Sequence, residues 1–459
     1  MKETKKLKIA IIGAGSVSFC PTTVADILRN ESIKDIELEI ALMDIDKEAL
    51  DVSGEFCNKI KEACKEDAKV IQTLDLEEAL VGADFVVTAI EKYRYHYWSQ
   101  DFHVPRKYGF RQVYGENGGP GGMFHTLRNL GPMLKIARTM EKVCPDAYLL
   151  NYTNPEAKLV GMISKVTSIK TVGLCHGEQM GVDQVAEILG VSKDDIETEV
   201  SGLNHFGVIT KITDKKTGKD LYPELKEKEL KLEKLMQWDE MALSRMMLRV
   251  YGVWVYPGAN HIGEYFAWAD QFLASAQMQY FYDPMVEKPW EDKEGEPLEF
   301  IYSMAGRDWE KDVAKTDKED VFKEAFNVDN KFTPNHEYGV PIIEAIAFDK
   351  PIKIGAVNVL NNGYVTNLPS TMVVEIPAMV DGDGIHPITP GEIPLGIAAL
   401  IATQGAIADL IYEAYAEKSR KKLLQAILLD PTVSTYNNAV NLINEMCELQ
   451  KDILPEMHW

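Results

Sequence analysis

Cysteine is scarce in this chain, with six in 459 residues: Cys20, Cys57, Cys64, Cys144, Cys175 and Cys447. None is paired at C-x-x-C spacing, which argues against a disulfide scaffold and a four-ligand structural zinc site, so reduced thiols inside a cell are expected. A surplus of basic charge is also missing. Lys+Arg number 49 against 71 Asp+Glu, a formal net charge of -22. Nucleic-acid binding needs clustered cations to displace counterions, so that partner class falls away. No run approaches the roughly 18 apolar residues of a membrane span. The N-terminal lysines lead directly into a short apolar strand, without the apolar core and cleavage site of a signal peptide. A cytoplasmic protein with neither a nucleic-acid nor a membrane partner is expected.

What is present is alternation. Hydrophobic residues make up 46% of the chain, enough for a large core. From Leu7 to about residue 190, short β-branched runs alternate with amphipathic stretches, the pattern of a parallel sheet covered by helices on both faces. Strands are predicted near Leu7–Ile12, Leu38–Met43, Phe85–Thr88, Ala147–Leu150 and Thr171–Leu174, with helices at Lys47–Cys64 and Thr126–Val143. From about residue 196 the alternation lapses into mixed strands, charged helices over Glu224–Leu248 and Pro/Gly-rich turns. Apolar, Ala-rich helices are predicted around Ile393–Tyr415 and Val440–Asp452, and the acidic stretch Trp290–Glu299 reads as a solvated loop. The expected fold class is therefore α/β, a Rossmann-like doubly wound parallel sheet over residues 1–195 with a second α+β domain over residues 196–459.

Gly13 and Gly15, with Ser16, follow the first strand directly and precede a helix. Such a turn aims backbone N–H groups and a helix N-terminus at a pyrophosphate. Ser18 stands where the full G-x-G-x-x-G fingerprint has its third glycine, so the match is incomplete. At the end of the next strand Asp44 can bind a ribose 2′-hydroxyl and repel a 2′-phosphate, which favours NAD over NADP; Asp46 is the alternative, or a helix cap.

Three further motifs fall after predicted strands: Asn151-Tyr152-Thr153-Asn154-Pro155, Cys175-His176-Gly177-Glu178 and Asn204-His205-Phe206. A thiolate and an imidazole from separate loops, Cys175 and His205, can hold a divalent transition ion and leave positions open for substrate oxygens.

Together these pieces resemble the family 4 glycoside hydrolases, NAD- and metal-dependent glycosidases related in fold to lactate and malate dehydrogenases. The matching residues are Gly13-Ala14-Gly15-Ser16, Gly119-Pro120-Gly121-Gly122 with Arg128, Asn151–Pro155, Cys175-His176-Gly177, Asn204-His205, Asn367-Leu368-Pro369 and Val374-Glu375-Ile376-Pro377. The resemblance implies that Cys175 and His205 ligate Mn2+ or another divalent transition metal, with Asn154 on sugar hydroxyls or cofactor beside it. It also implies oxidation of the sugar at C3 by NAD, metal-assisted loss of the C2 proton, elimination at C1, return of water and return of the hydride. Tyr265 is the preferred base, within the stretch Tyr256–Tyr265 that also holds His261 and Glu264. His261 is a candidate for hydroxyl or metal binding, and the leaving group could draw its proton from Glu116, His176 or water.

Histidine directly after the metal cysteine argues, by the same resemblance, against 6-phosphosugars, and Cys175-His176-Gly177 is most similar to the α-glucuronidase subgroup. α-Galactosidase, α-glucosidase and α-galacturonidase are the alternatives within the family, and an NAD-dependent 2-hydroxyacid dehydrogenase is the alternative outside it. A uronic carboxylate would seek an arginine, for which Arg94, Arg106, Arg111 and Arg128 are the candidates. Relatives form dimers or tetramers, so a homo-oligomer is expected.

Overall fold

The computed structural model describes residues 6–16, 19–33, 36–64, 67–236, 241–272 and 337–459. Ser18 and the Trp290–Glu299 stretch lie outside the described residues. Six strands build the first part of the chain: β1 (Lys6–Ile12), β2 (Glu37–Met43), β3 (Lys69–Thr73), β4 (Phe85–Thr88), β5 (Tyr148–Asn151) and β6 (Lys170–Gly173). They pair in parallel in the spatial order β3-β2-β1-β4-β5-β6, so the connections reverse direction between β1 and β4. Open sheets of this kind bind ligands at that reversal, beyond the carboxyl ends of the strands.

The sequence reading finds five of the six strands and misses β3, whose KVIQT run is short and half polar. Lys47–Cys64 is a helix over the predicted residues. The helix predicted from Thr126 starts earlier, at Gly119, because Pro120 at its first turn needs no hydrogen-bond partner for a missing N–H.

A three-stranded antiparallel sheet follows, of β7 (Ile196–Leu203), β8 (Phe206–Asp214) and β9 (Trp254–Tyr256). Glu224–Leu248 resolves into helix Tyr222–Glu229, a 3-10 turn at Leu232–Met236 and helix Ala242–Tyr251, with residues 237–240 outside the described set.

The chain then returns to the first sheet. β10 (Ile352–Leu360) pairs antiparallel with β6 at Asn358 and Gly173, and β11 (Val373–Asp381) and β12 (Gly384–Pro387) extend the same edge to nine strands. Three helices close the chain, Leu395–Glu417, Arg420–Leu429 and Tyr436–Leu449, the middle one unforeseen in the sequence. Their apolar faces, including Ile411, Leu423, Ile443 and Met446, share one core with Ala10, Val86 and Leu127 from the first part of the chain.

Leu395–Glu417 is long and apolar enough to cross a membrane, with mean hydropathy 1.6, a property that counting uninterrupted apolar runs does not reveal. It packs on the Arg420–Leu429 and Gly119–Val143 helices.

Candidate active site

At the nucleotide end, Gly13 takes φ +92°, and a Cβ there would stand 2.2 Å from the Ala89 carbonyl oxygen, so only glycine lets this turn close onto the end of β4. Asp44 faces the turn from the end of β2, and its Oδ2 accepts the Gly15 N–H at 2.8 Å. Asp46 has the capping role: its Oδ1 accepts the N–H groups of Glu48 and Ala49 at the start of helix Lys47–Cys64. The Ser16 hydroxyl accepts the Phe19 N–H at 3.2 Å, at the start of helix Phe19–Arg29.

Just beyond β4, Glu91 leads away from this turn. Its Oε2 lies 2.6 Å from His125 Nε2, and His125 Nδ1 donates to the Glu116 carbonyl at 2.8 Å. The His125 imidazole holds the Glu91 carboxyl down to about 2 against the upward pull of burial. A short relay, part-buried at Glu91 and buried at His125, therefore connects the end of β4 to the loop that carries Glu116.

That loop is the centre of the site. Glu116, His205 and His261 each offer a ligand atom, and these atoms lie within 4.8 Å of one another. His205 occupies the two-residue turn between β7 and β8 with φ +64°, a left-handed conformation that costs a non-glycine residue about 1 kcal/mol or more. Its ring meets His261 edge-on at 4.4 Å between centroids. Burial holds His205 down to about 4 and His261 well below its ordinary value, so both rings are neutral and able to ligate near neutral pH. His261 Nδ1 lies 2.7 Å from Asn260 Oδ1, which can only accept; the ring proton therefore sits on Nδ1 and the Nε2 lone pair is left open.

Asn117 and Glu264 hold this arrangement; the sequence marks Glu264 only as one of the proton-transfer groups in Tyr256–Tyr265 and gives Asn117 no role. Glu264 Oε1 accepts the N–H groups of Glu116 and Asn117 at 2.7 and 2.9 Å, while Oε2 is buried without a hydrogen-bond partner among the described residues, 3.8 Å from His205 Nδ1. Burial pushes its carboxyl up to about 7 against three backbone N–H groups. The Asn117 amide stands 2.9 Å from His205 Nδ1, and the Asn117 carbonyl accepts from Lys158 Nζ. For Asn117 the signal was position, beside Glu116; for Glu264 it was membership of the proton-transfer stretch, three residues beyond His261.

Of the two expected metal ligands, His205 is in the donor group and Cys175 is not one of its three members. Cys175 sits against Asn204, the residue before His205, and accepts the Gly177 N–H at 3.4 Å; burial, then Glu375, pushes its thiol up. His176 is at the open edge, its side chain 62% exposed and 3.5 Å from Glu337, whose carboxylate raises the imidazole above its ordinary value. Tyr265 is buried, stacked on Phe206, and donates its hydroxyl proton to the Asn204 carbonyl at 3.2 Å. The backbone carbonyl of Asn154 accepts from Asn129 at 2.8 Å.

Arg128 is corrected as a substrate ligand. The residue is 3% exposed, and its two terminal nitrogens fork onto Asp101 at 2.6 and 2.8 Å, with Gln450 and the Tyr97 ring beside them, so the face of the guanidinium that would grip a carboxylate is engaged inside the core. Arg94 is the nominated arginine that reaches the donor group, 3.5 Å from Glu116 Oε1, with its guanidinium over Trp98.

Fold and site together define a dinucleotide-dependent α/β enzyme with a place for a metal. The model of the family 4 glycosyl hydrolases matches residues 8–191, and that of the family's C-terminal domain matches residues 200–433. The chain belongs to the family 4 glycosyl hydrolases. It is 31% identical over 453 residues to an alpha-galactosidase of Bacillus subtilis (strain 168), covering 98% of this chain and 99% of that protein. An alpha-galacturonidase of Thermoanaerobacter italicus is 30% identical over 471 residues, covering 98% and 97%. A solved 6-phospho-alpha-glucosidase from gut microorganisms, in complex with NAD and glucose-6-phosphate, superposes with TM-score 0.77 at 25% identity, covering 99% of this chain and 100% of that one. The family's enzymes are glycosidases that use NAD and a divalent metal, and the dehydrogenase alternative is set aside by this membership.

Proposed function

We propose that this enzyme cleaves unphosphorylated α-glycosides, α-glucuronides foremost, with NAD at the glycine turn and an Mn2+-like ion at the Glu116 loop. The residues fit both groups. Glycine at position 13 keeps a Cβ out of a turn already in contact with β4, and two neutral imidazoles with a carboxylate are a donor set suited to Mn2+, with the Cys175 thiol close to Asn204. When bound, the dinucleotide supplies a hydride acceptor and the ion a positive charge beside the oxygens of the sugar ring.

The chain's own residues then divide the remaining work. His205, with His261 and Glu116, would hold the ion, and Cys175, against Asn204, would join them as a ligand. Tyr265 takes the C2 proton. His176, at the open edge, or Glu116 gives a proton to the departing oxygen, and Asn154 steadies the sugar hydroxyls.

The observation that carries the glucuronide reading is Arg94, a planar cation at the rim of the donor group that can meet a C6 carboxylate bidentately. Cys175-His176-Gly177 supports it, as does the 30% identity to an alpha-galacturonidase, whose name also specifies a uronic acid. The 31% identity to an alpha-galactosidase favours the second reading, a neutral α-glycoside.

A screen of p-nitrophenyl α-glycosides with NAD, Mn2+ and reductant decides between them. The glucuronide should be cleaved fastest, and Arg94→Ala should raise its KM far more than that of a neutral glycoside. Faster cleavage of the galactoside would overturn the uronate assignment. A homodimer or homotetramer working in the cytoplasm belongs to the same reading; Leu395, 81% exposed at the start of an apolar helix, supports the subunit contact. Sedimentation of the purified enzyme tests it.

A further inference from the structure

A narrow pocket of about 20 Å3, room for a water or two, lies beside the donor group, between helix Glu156–Val166, helix Leu395–Glu417 and the start of β11. Its lining is graded. At one end are Lys165 and Asp409, ion-paired with side chains 26% and 45% exposed. At the other are Asn117, Lys158, Asn204 and Tyr265, each at most 6% exposed. The pocket thus runs from solvent to the far side of the Glu116 loop and reaches the candidate base.

Lys158 gives this inner end its character. Its ammonium has three N–H donors, and the one acceptor they meet among the described residues is the Asn117 carbonyl. A buried donor without a protein partner calls for water in a space that can hold it. Gln404 adds a polar side chain to the wall, 4% exposed.

We propose that this pocket is the route by which the proton taken from the sugar reaches solvent, with the Lys158 ammonium ordering the water along it. The proposal rests on the reading of Tyr265 as the base. With a sugar seated at the donor group, the exit on that side is covered, and the pocket offers Tyr265 a second way out. Burial, then Glu264, holds the resting Tyr265 as the phenol, so its own proton leaves through the pocket before the tyrosinate oxygen takes the C2 proton; the electron pair of the C2–H bond stays with the sugar. The phenol so formed gives a proton to pocket water, a proton leaves that water for bulk at the Lys165–Asp409 mouth, and the tyrosinate is restored with no co-reactant.

The test uses whichever p-nitrophenyl α-glycoside of the screen is turned over, deuterated at C2, with the whole enzyme in light water. Exchange along the pocket should leave the wild-type product almost wholly protiated at C2. Ala408→Leu narrows the pocket from its wall, away from the groups that touch the sugar, and should raise the deuterium retained at C2 several-fold without changing KM or bound Mn2+. Lys158→Met should also raise the deuterium retained at C2; because Lys158 donates to the Asn117 carbonyl beneath the ion, its bound Mn2+ is measured alongside, and its melting transition and NAD affinity show that it is folded. Loss of deuterium as complete as in wild type, in both folded variants, overturns the proposal. Tyr265→Phe separates the two readings: if that variant still exchanges C2 and turns over, the base assignment is what has failed.

Discussion

Asn117 shows how much one side chain can organise. Its N–H binds Glu264, its amide faces His205 and its carbonyl holds Lys158, so the loop beneath the proposed ion is fixed from three directions. Groups that orient a metal ligand matter almost as much as the ligand. Asn260→Ala frees the His261 ring to turn and should weaken Mn2+ binding about 10- to 100-fold, measured by calorimetric titration, with NAD affinity unchanged. Cys175→Ser should abolish metal-dependent cleavage and also leave NAD affinity nearly unchanged; retained activity would remove Cys175 from the ligand set.

Lys158 carries a pH signature. Burial lowers its ammonium from the ordinary 10.5 to about 8. Between those values the unfolded chain binds more protons than the folded one, so this group makes stability rise with pH from about 8 to about 10.5. The stability of wild type relative to Lys158→Met should therefore improve across that window, by on the order of 3 kcal/mol, as read from denaturant unfolding at stepped pH. A flat difference would show that the amine is not buried as a strained cation.

Among the elements, the turn after β1 is the most exacting. Gly13→Val would impose φ +92° on a β-branched residue and drive its Cβ into the Ala89 carbonyl, so NAD affinity should fall about tenfold or more, 1.4 kcal/mol per decade. Fluorescence titration with NADH checks this. Such a turn is legible in sequence because its chemistry is local: two glycines, a preceding strand, and an acid at the end of the next strand. The first sheet was legible for the same reason, each strand being a short apolar run between helices. β10–β12 were not, because Ile352–Pro387 reads as part of a separate region and only its pairing to β6 through Asn358 places it in the first sheet. The metal site was half legible. His205 stands in a recognisable motif, whereas Glu116, Asn117, His261 and Glu264 meet it from loops some 90 or 60 residues away, and Arg128 was misread because Asp101 and Gln450, which consume it, carry no local signal.

On the scale of the whole molecule, the match to two family models divides the chain near residue 195, but the packing crosses that division. The C-terminal helices fill the same core as β1 and β4, and β10–β12 complete the first sheet. Calorimetry should accordingly show one cooperative transition, shifted upward as a whole by NAD. Two transitions, only one of them moved by NAD, would show that the halves are energetically separate.

Because the last helices cover strands that leave the ribosome hundreds of residues earlier, the nascent enzyme must carry a half-clad sheet through nearly its entire synthesis. Its free β6 edge is answered only when residues after 350 emerge, and its bare underside only when Met446 does. Yield in the cell should thus depend on elongation rate and on holdase chaperones that shield the waiting half, even though the finished molecule presents neither surface.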